Sequence, residues 1–371
     1  MILLISLSAA WERRDHSQEM RNWFRIISSL PGIMDSPILY ARLLNHISEH
    51  SWLLGDFDYA RSLLEESHAI LVKLGVEGEP DLAMNLCWSG MVAHTGEADN
   101  KAARSFYERS FELYKKYGDQ WGMAFVSFNS GVNTDEWNDD VSALSLFEQS
   151  LEWFRQLGDI WGMGRALHFL GQSFLKQGNY EKARIHFEEH LKIDEGLRFK
   201  QGTMIALQNL GNLYRYQGDY DQATRFYERS LSLSGEYGDS WDTSNSLWYL
   251  GLVALHQNDY QRARQQFNDY YNLACEMYSG GIGECDFLTA MAAVAGGTNH
   301  PERAAKLNGA AQALFQTTDY RFSPFDRAEF DRHIQIAQNQ LSGTTFEELM
   351  AEGYAMTIEQ AISYALKDPA D

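Results

Sequence analysis

The sequence predicts an all-α protein: a right-handed superhelical solenoid of helix–turn–helix repeats with a period of 40 residues, closed by a C-terminal helical cap. Three observations predict it. Ala103, Ala143, Ala183, Ala223 and Ala263 fall 40 residues apart, and the aromatics Tyr107, Phe147, Phe187, Tyr227 and Phe267 keep the same step. In the preceding half of each unit, Gly131, Gly171, Gly211 and Gly251 keep it too. Within each half, apolar residues recur at helical spacing: Leu207, Leu210, Leu213 and Tyr214, then Tyr220, Ala223, Tyr227, Leu231 and Leu233 after the turn at Gln217-Gly218-Asp219. A chain of 371 residues exceeds one compact core, but repeats pack only on their neighbours and escape that limit. Proline is scarce, at six residues, as helices require.

The elements follow in order. Residues 1–37 read as a degenerate N-terminal helix pair with Trp11, Met20, Trp23 and Phe24 as core candidates. The apolar opening Met1-Ile2-Leu3-Leu4-Ile5-Ser6-Leu7 has no preceding Lys or Arg and is followed at once by Glu12, Arg13 and Arg14, which favours a buried helix over a signal peptide. It is also too short to span a bilayer. Residues 38–282 hold six repeats. The first is built around Gly55-Asp56-Phe57 and Ala60, and a Gly/Glu/Pro linker at 75–80 leads to five more, starting near 81, 121, 161, 201 and 241. The turn aspartate, as at Asp219, is placed to cap the second helix, and glycines such as Gly118, Gly158 and Gly238 close the unit. Gly211 and Ala223 are small where paired helices cross, and Tyr227 is expected to fill space against the next unit. Residues 283–322 form a looser repeat whose second helix opens at Pro301, and residues 323–371 form capping helices, with a start at Ser323-Pro324 and a capping box from Thr357 to Gln360.

The formal charge of −20 repels phosphate backbones and anionic lipid, so neither nucleic acid nor membrane is an expected partner. A basic or apolar protein segment is. Cys87, Cys275 and Cys285 make an odd set without CxxC spacing, which argues against disulfides and zinc and for the cytoplasm.

The alternation of glycine, alanine and aromatic residues resembles the tetratricopeptide repeat, whose usual period is about 34 residues; a step of 40 implies longer helices. The junctions Gly118-Asp119-Gln120-Trp121-Gly122 and Gly158-Asp159-Ile160-Trp161-Gly162, the run Arg303 to Ala311, and Ala351-Glu352-Gly353 followed by Thr357 to Ala361 resemble the C-terminal arm of large bacterial signal-transduction ATPases of the AfsR/LuxR and MalT-like class. The resemblance implies a sensor or scaffold role. No Gly-x-x-x-x-Gly-Lys-Ser/Thr loop is present to cradle phosphates, so the ATPase activity of that class does not carry over. The chain begins inside a helix pair, which points to a truncated or split part of a longer regulator; a separate ATPase or regulator and a second copy of the chain are further candidate partners.

The inner groove of such a repeat array is lined by first helices, at positions set by the recurrent glycine. These are Phe128 and Asp135 around Gly131; His168, Gln172 and Lys176 around Gly171; Gln208, Asn212, Arg215 and Tyr216 around Gly211; and Trp248 and His256 around Gly251. Hydrogen-bonding ends in the middle of this series suit an extended peptide or a small polar ligand, against the alternative of an ordinary solvated face. His186 and His190, like His46 and His50, have a metal-compatible i, i+4 spacing, but no third ligand is nominated, and packing is the expected role. No cofactor is expected. Trp121, Trp161 and Trp241 share one repeat position and are expected to pack, and Glu108, Glu148, Glu188 and Glu228 to form a solvated stripe. No Gly-x-Ser-x-Gly elbow marks a nucleophile. Function therefore points to a non-catalytic interaction module, with a small-molecule sensor arm as the alternative.

Overall fold

The computed structural model describes residue 26 and residues 35–136, 140–277, 282–317 and 322–367. The expected N-terminal helix pair and its core candidates lie outside the described residues, apart from position 26. From residue 35 on, the described residues form seventeen α-helices, one 3-10 turn and no strand. The helices are α1 (Pro37–Leu53), α2 (Phe57–Leu74), α3 (Glu79–Glu97), α4 (Asn100–Tyr117), α5 (Gln120–Glu136), α6 (Asp140–Leu157), α7 (Ile160–Lys176), α8 (Tyr180–Leu197) and α9 (Lys200–Tyr216). They continue as α10 (Tyr220–Tyr237), α11 (Ser240–His256), α12 (Tyr260–Met277), α13 (Ile282–Gly297), α14 (Pro301–Phe315), α15 (Pro324–Gln338), α16 (Gly343–Tyr354) and α17 (Ile358–Leu366). The chain divides into two compact units, Met1–Ser173 and Phe174–Asp371.

Aspartates of turns and junctions cap helices as the sequence implied, whereas Asp56 at the start of α2 makes no side-chain cap. Asp99 accepts a hydrogen bond from Ala102 N at 2.9 Å, Asp119 from Gly122 N at 2.9 Å, Asp219 from Gln222 N at 3.1 Å and Asp259 from Arg262 N at 3.1 Å. Each satisfies an N–H that the first turn of a helix leaves without a partner. Three residues, Ala98, Arg198 and Asn258, hold left-handed backbone at chain reversals where other repeats place glycine, with φ of 51°, 55° and 58°.

The repeat glycines meet the repeat aromatics directly. A Cβ on Gly131 would lie 2.7 Å from the Phe147 ring, one on Gly211 2.3 Å from the Tyr227 ring, and one on Gly251 2.5 Å from the Phe267 ring. Tyr227 fills space against the next unit as expected, stacking on Tyr249 of α11 at 5.1 Å, and its other contact is the glycine of its own helix pair, where absence of a Cβ is what admits the ring. Ala103, Ala143, Ala183, Ala223 and Ala263 are fully buried.

In the C-terminal part, α16 packs on α14 through two glycines. A Cβ on Gly309 would sit 2.1 Å from the Met350 carbonyl oxygen, and one on Gly353 would sit 1.9 Å from that of Lys306. Backbones therefore touch where these small residues interlock, which accounts for the Asn308-Gly309-Ala310 and Glu352-Gly353 motifs. Arg303 donates to the carbonyls of Tyr364, Ala365 and Lys367 and closes the C-terminal end of α17. Among the described residues, no helix is long and apolar enough to cross a membrane.

Candidate functional site

In the second unit, the first helices α9, α11 and α13 present one face, and that face is covered by the chain's own α15. The amphipathic pattern of α15 places Phe330, His333 and Ala337 in the core against α11–α13, and a Cβ on Gly296 of α13 would strike the His333 carbonyl at 2.3 Å. The N-terminal turn of α15 then reaches the ends of α11 and α9. Ser323 caps it, accepting from Asp326 N at 3.1 Å.

Four of the predicted groove residues meet this turn. Arg215 is fully buried, and its Nη1 donates to Asp326 Oδ1 at 2.6 Å. Burial opposes the guanidinium charge, and the Asp326 carboxylate together with Tyr227 and Tyr216 more than offsets that penalty. The Tyr216 ring lies 4.4 Å from the ring of Phe325, and its hydroxyl lies 3.5 Å from the Ser323 hydroxyl. His256 packs on Phe325 at 5.2 Å, and its Nδ1 faces Glu329 Oε2 at 3.3 Å. Trp248 stacks on Phe322 and packs tilted against Phe330, each at 6.1 Å. Burial raises the Glu329 carboxyl, but hydrogen bonds from His256 and Arg332 outweigh it and hold the group down at about 2. Burial pushes His333 below its ordinary 6.5.

The remaining predicted residues sit elsewhere. Gln208 is buried, and its amide nitrogen donates to Asp242 Oδ1 at 3.2 Å and lies 3.3 Å from the hydroxyls of Ser230 and Ser246. It ties α9 to α10 and α11 and presents nothing outward. Burial pushes the Asp242 carboxyl up to about 6, with Asp239 adding to the shift and Gln208 opposing it. Asn212 accepts from the Tyr227 hydroxyl at 2.8 Å and from Arg215 at 3.4 Å, so it positions the arginine. Lys176 is exposed. In the first unit, Phe128 is 2% exposed and packs between Phe147, Phe169 and the Arg165 guanidinium, as a core residue. His168 is half-buried, edge-on to Phe169 at 5.0 Å, and Gln172 is partly exposed. The side chain of Asp135 lies outside the described residues.

Sequence reasoning missed the tail residues Phe325, Asp326 and Glu329. One signal was available: in the register of Leu175 and Leu255, position 215 is an arginine, and a charge at an apolar repeat position calls for a carboxylate from elsewhere. It also missed a cavity in the first unit. Ser127, Ser130 and Thr134 replace Leu167, Leu170 and Phe174 of the next repeat. The volume so vacated opens a groove of about 540 Å³ between α4 and α6, walled by Tyr107, Phe111 and Leu146, with Arg104 and Glu108 on its rim.

The paired histidines are held internally. His186 stacks on Phe174 at 5.4 Å, His190 Nε2 meets Asp194 Oδ2 at 2.8 Å, and His46 faces Glu49 at 3.5 Å. No group of three His, Cys, Asp or Glu that could hold a metal occurs among the described residues. Cys87 and Cys285 are buried, and the Cys285 thiol donates to the Ala311 carbonyl at 3.8 Å. The junction tryptophans depart from expectation: Trp121, Trp161 and Trp241 are 39%, 50% and 52% exposed. They stand on first turns at the repeat edge, where Trp121 stacks one ring face on Phe125 and donates its indole N–H to Asp159 at 2.9 Å.

With this geometry in hand, two stretches, 138–196 and 202–276, match the tetratricopeptide repeat family model. The chain carries tetratricopeptide repeats. No curated protein sequence matches it. Among solved structures, the apo form of the quorum sensor NprR from B. thuringiensis is similar over 97% of both chains, with a TM-score of 0.63 and 16% identity. A Rap protein complexed with competence and sporulation factor is similar over 98% of this chain and 99% of that one, with a TM-score of 0.60 and 12% identity. Aspartyl phosphate phosphatase F from Bacillus subtilis is similar over 96% of this chain and 90% of its own, with a TM-score of 0.54 and 13% identity. At these identities the tetratricopeptide-repeat likeness establishes the fold.

Proposed function

We propose that this chain is a non-catalytic protein- or peptide-binding module, the sensor arm of a bacterial signalling or transcriptional-regulatory system. One observation carries this: the first-helix face of the second unit already holds a polypeptide element, α15, through an arginine–carboxylate pair and aromatic contacts. Side chains that hold one polypeptide segment are of the kind that recognise another. The same fold serves the quorum sensor NprR and the Rap protein complexed with competence and sporulation factor. With a formal charge of −20, most of the surface favours basic or apolar partner segments, including a separate ATPase subunit or a second copy of the chain. Affinity capture with the full chain from native cytoplasm tests the proposal. A stoichiometric protein partner, released by rising salt, is the expected result; capture of none at low salt refutes it.

The cavity between α4 and α6 favours a second reading, a small-molecule sensor, because hydroxyls of Ser127 and Ser130 share it with apolar walls. A thermal-shift screen of metabolites separates the two. A ligand whose stabilisation disappears on filling the cavity supports this second role.

A further inference from the structure

We propose that the face formed by the C-terminal ends of α9 and α11 is a recognition site for an acidic–aromatic peptide segment, and that Phe325-Asp326 of the chain's own tail is its resident stand-in. This rests on the interaction function proposed above and names the chemistry of the partner at that face.

The recognition group is Arg215. Its register neighbours are Leu175 and Leu255, so nothing in repeat packing asks for a guanidinium there. The present carboxylate satisfies it incompletely. Nη1 donates to Asp326 and Nη2 reaches Asn212 at 3.4 Å, while Nε meets no acceptor among the described residues. Asp326 divides its own carboxylate, since Oδ2 accepts from the Ser323 hydroxyl at 2.8 Å. The pair is therefore single-pronged, whereas a guanidinium is built for a two-pronged carboxylate contact. A partner carboxylate not committed to a helix cap would serve Arg215 better than the tail does.

Beside the arginine is an aromatic slot. Phe325 sits between Tyr216 at 4.4 Å, His256 at 5.2 Å and the Arg215 guanidinium at 5.2 Å, and the ring remains partly exposed. The occupant thus reads as an aromatic residue followed by an acid. Net charge would steer acidic segments away from the rest of this chain, so Arg215 marks the local exception.

Exchange need not unfold α15. Phe330, His333 and Ala337 anchor the later turns in the core. Residues 323–326 form the cap and first turn, the part of a helix with fewest internal hydrogen bonds and the least cost to peel away.

The test uses the full chain and a fluorescent, acetylated and amidated peptide of residues 322–333, read by anisotropy. In Asp326→Asn, and separately in Phe325→Ala, the stand-in is weakened. The peptide is expected to bind roughly tenfold tighter or more than to wild type, because apparent affinity scales with the fraction of sites left open. A peptide carrying Asn in place of its Asp loses the gain, and Arg215→Met added to Asp326→Asn erases it. Equal affinity for wild type and both released variants overturns the proposal, as does a gain indifferent to the Asp→Asn peptide. If the peptide result fails while wild type still captures a native protein partner, this inference falls and the interaction function stands. If the peptide result holds and no partner is captured, the peptide-binding face stands and the sensor-arm assignment falls.

Discussion

Replacing one glycine with alanine should destabilise this protein, and replacing another in the next helix should stabilise it. Gly211 lies in α9 under the ring of Tyr227, where a new Cβ would stand 2.3 Å from a ring carbon. Favourable carbon–carbon contact lies at about 3.5–4.0 Å, so the methyl intrudes by more than 1 Å, roughly. Tyr227 has no room to retreat: it is fully buried, and its hydroxyl is tied to Asn212 at 2.8 Å. Overpacking of this kind costs about 1–3 kcal/mol, while alanine's helix propensity returns up to about 1 kcal/mol. With the full propensity gain the net is a loss of up to about 2 kcal/mol. Gly235 in α10 is the control, because it is exposed and a Cβ there meets nothing within 4 Å. Gly235→Ala should gain about 0.5–1 kcal/mol from propensity alone. Urea unfolding of both variants, with amide exchange to localise the effect to the α9–α10 pair, decides it. Gly211→Leu would compound the clash, but Gly211→Ala with Tyr227→Leu should recover part of the loss. Shifts of the same sign for the two alanine variants would refute the steric account.

Other expectations follow from the same geometry. Ser127→Leu with Ser130→Leu restores the residues found in the next repeat and should stabilise the first unit by about 1–2 kcal/mol, measured by thermal melting; no gain would mean the groove is not vacated volume. Ala98→Gly relieves left-handed backbone at φ 51° and should raise stability by up to about 1 kcal/mol, and a loss would contradict the strain. The docking of α15 should weaken in acid. His333 is held below 6.5 by burial, so its contribution is complete above that pH and declines as pH falls below it. Glu329, held at about 2, contributes fully above 4.5 and is lost as pH falls from there toward 2. The groups facing this cluster are Arg215 from α9, Tyr220 from α10, His256 from α11, Tyr260 from α12 and Arg332 on α15 itself. Amide exchange of α15, corrected for intrinsic rates, should show falling protection from pH 7.5 to 4, and rising protection would reverse the sign argument.

Helix order, turn chemistry and the alanine–aromatic core were legible because each is repeated, and repetition averages out local accident. Ala223 and Tyr227 could be assigned from their equivalents without any coordinates. What the repeat could not reveal is any contact made once. The meeting of Arg215 with Asp326 spans more than a hundred positions and has no counterpart in another unit. Phe128 and Gln208 were legible as first-helix residues but not as buried ones. Helix periodicity places a side chain on a face; whether that face stays open depends on what covers it. Trp121, Trp161 and Trp241 erred the other way, because a shared position does not specify burial when it falls on the edge of the repeat.

The departures from the repeat therefore carry more functional information than the repeat itself. A solenoid position occupied by leucine in neighbouring units is filled by packing alone, and the substitutions at 127, 130 and 215 each forgo part of that packing. At 127 and 130, serine leaves a groove with polar floor atoms. At 215, arginine incurs a desolvation cost that only a carboxylate offsets. Removing Asp326 would not cost the several kcal/mol expected for an orphaned buried charge, roughly 3–5, because the covering turn can lift and return Arg215 to water. The cost is capped by the free energy of docking that turn. A buried ion pair whose loss is limited in this way marks a contact made to be exchanged, which is why the α9–α11 face, rather than the more regular surface, is where a partner is to be sought.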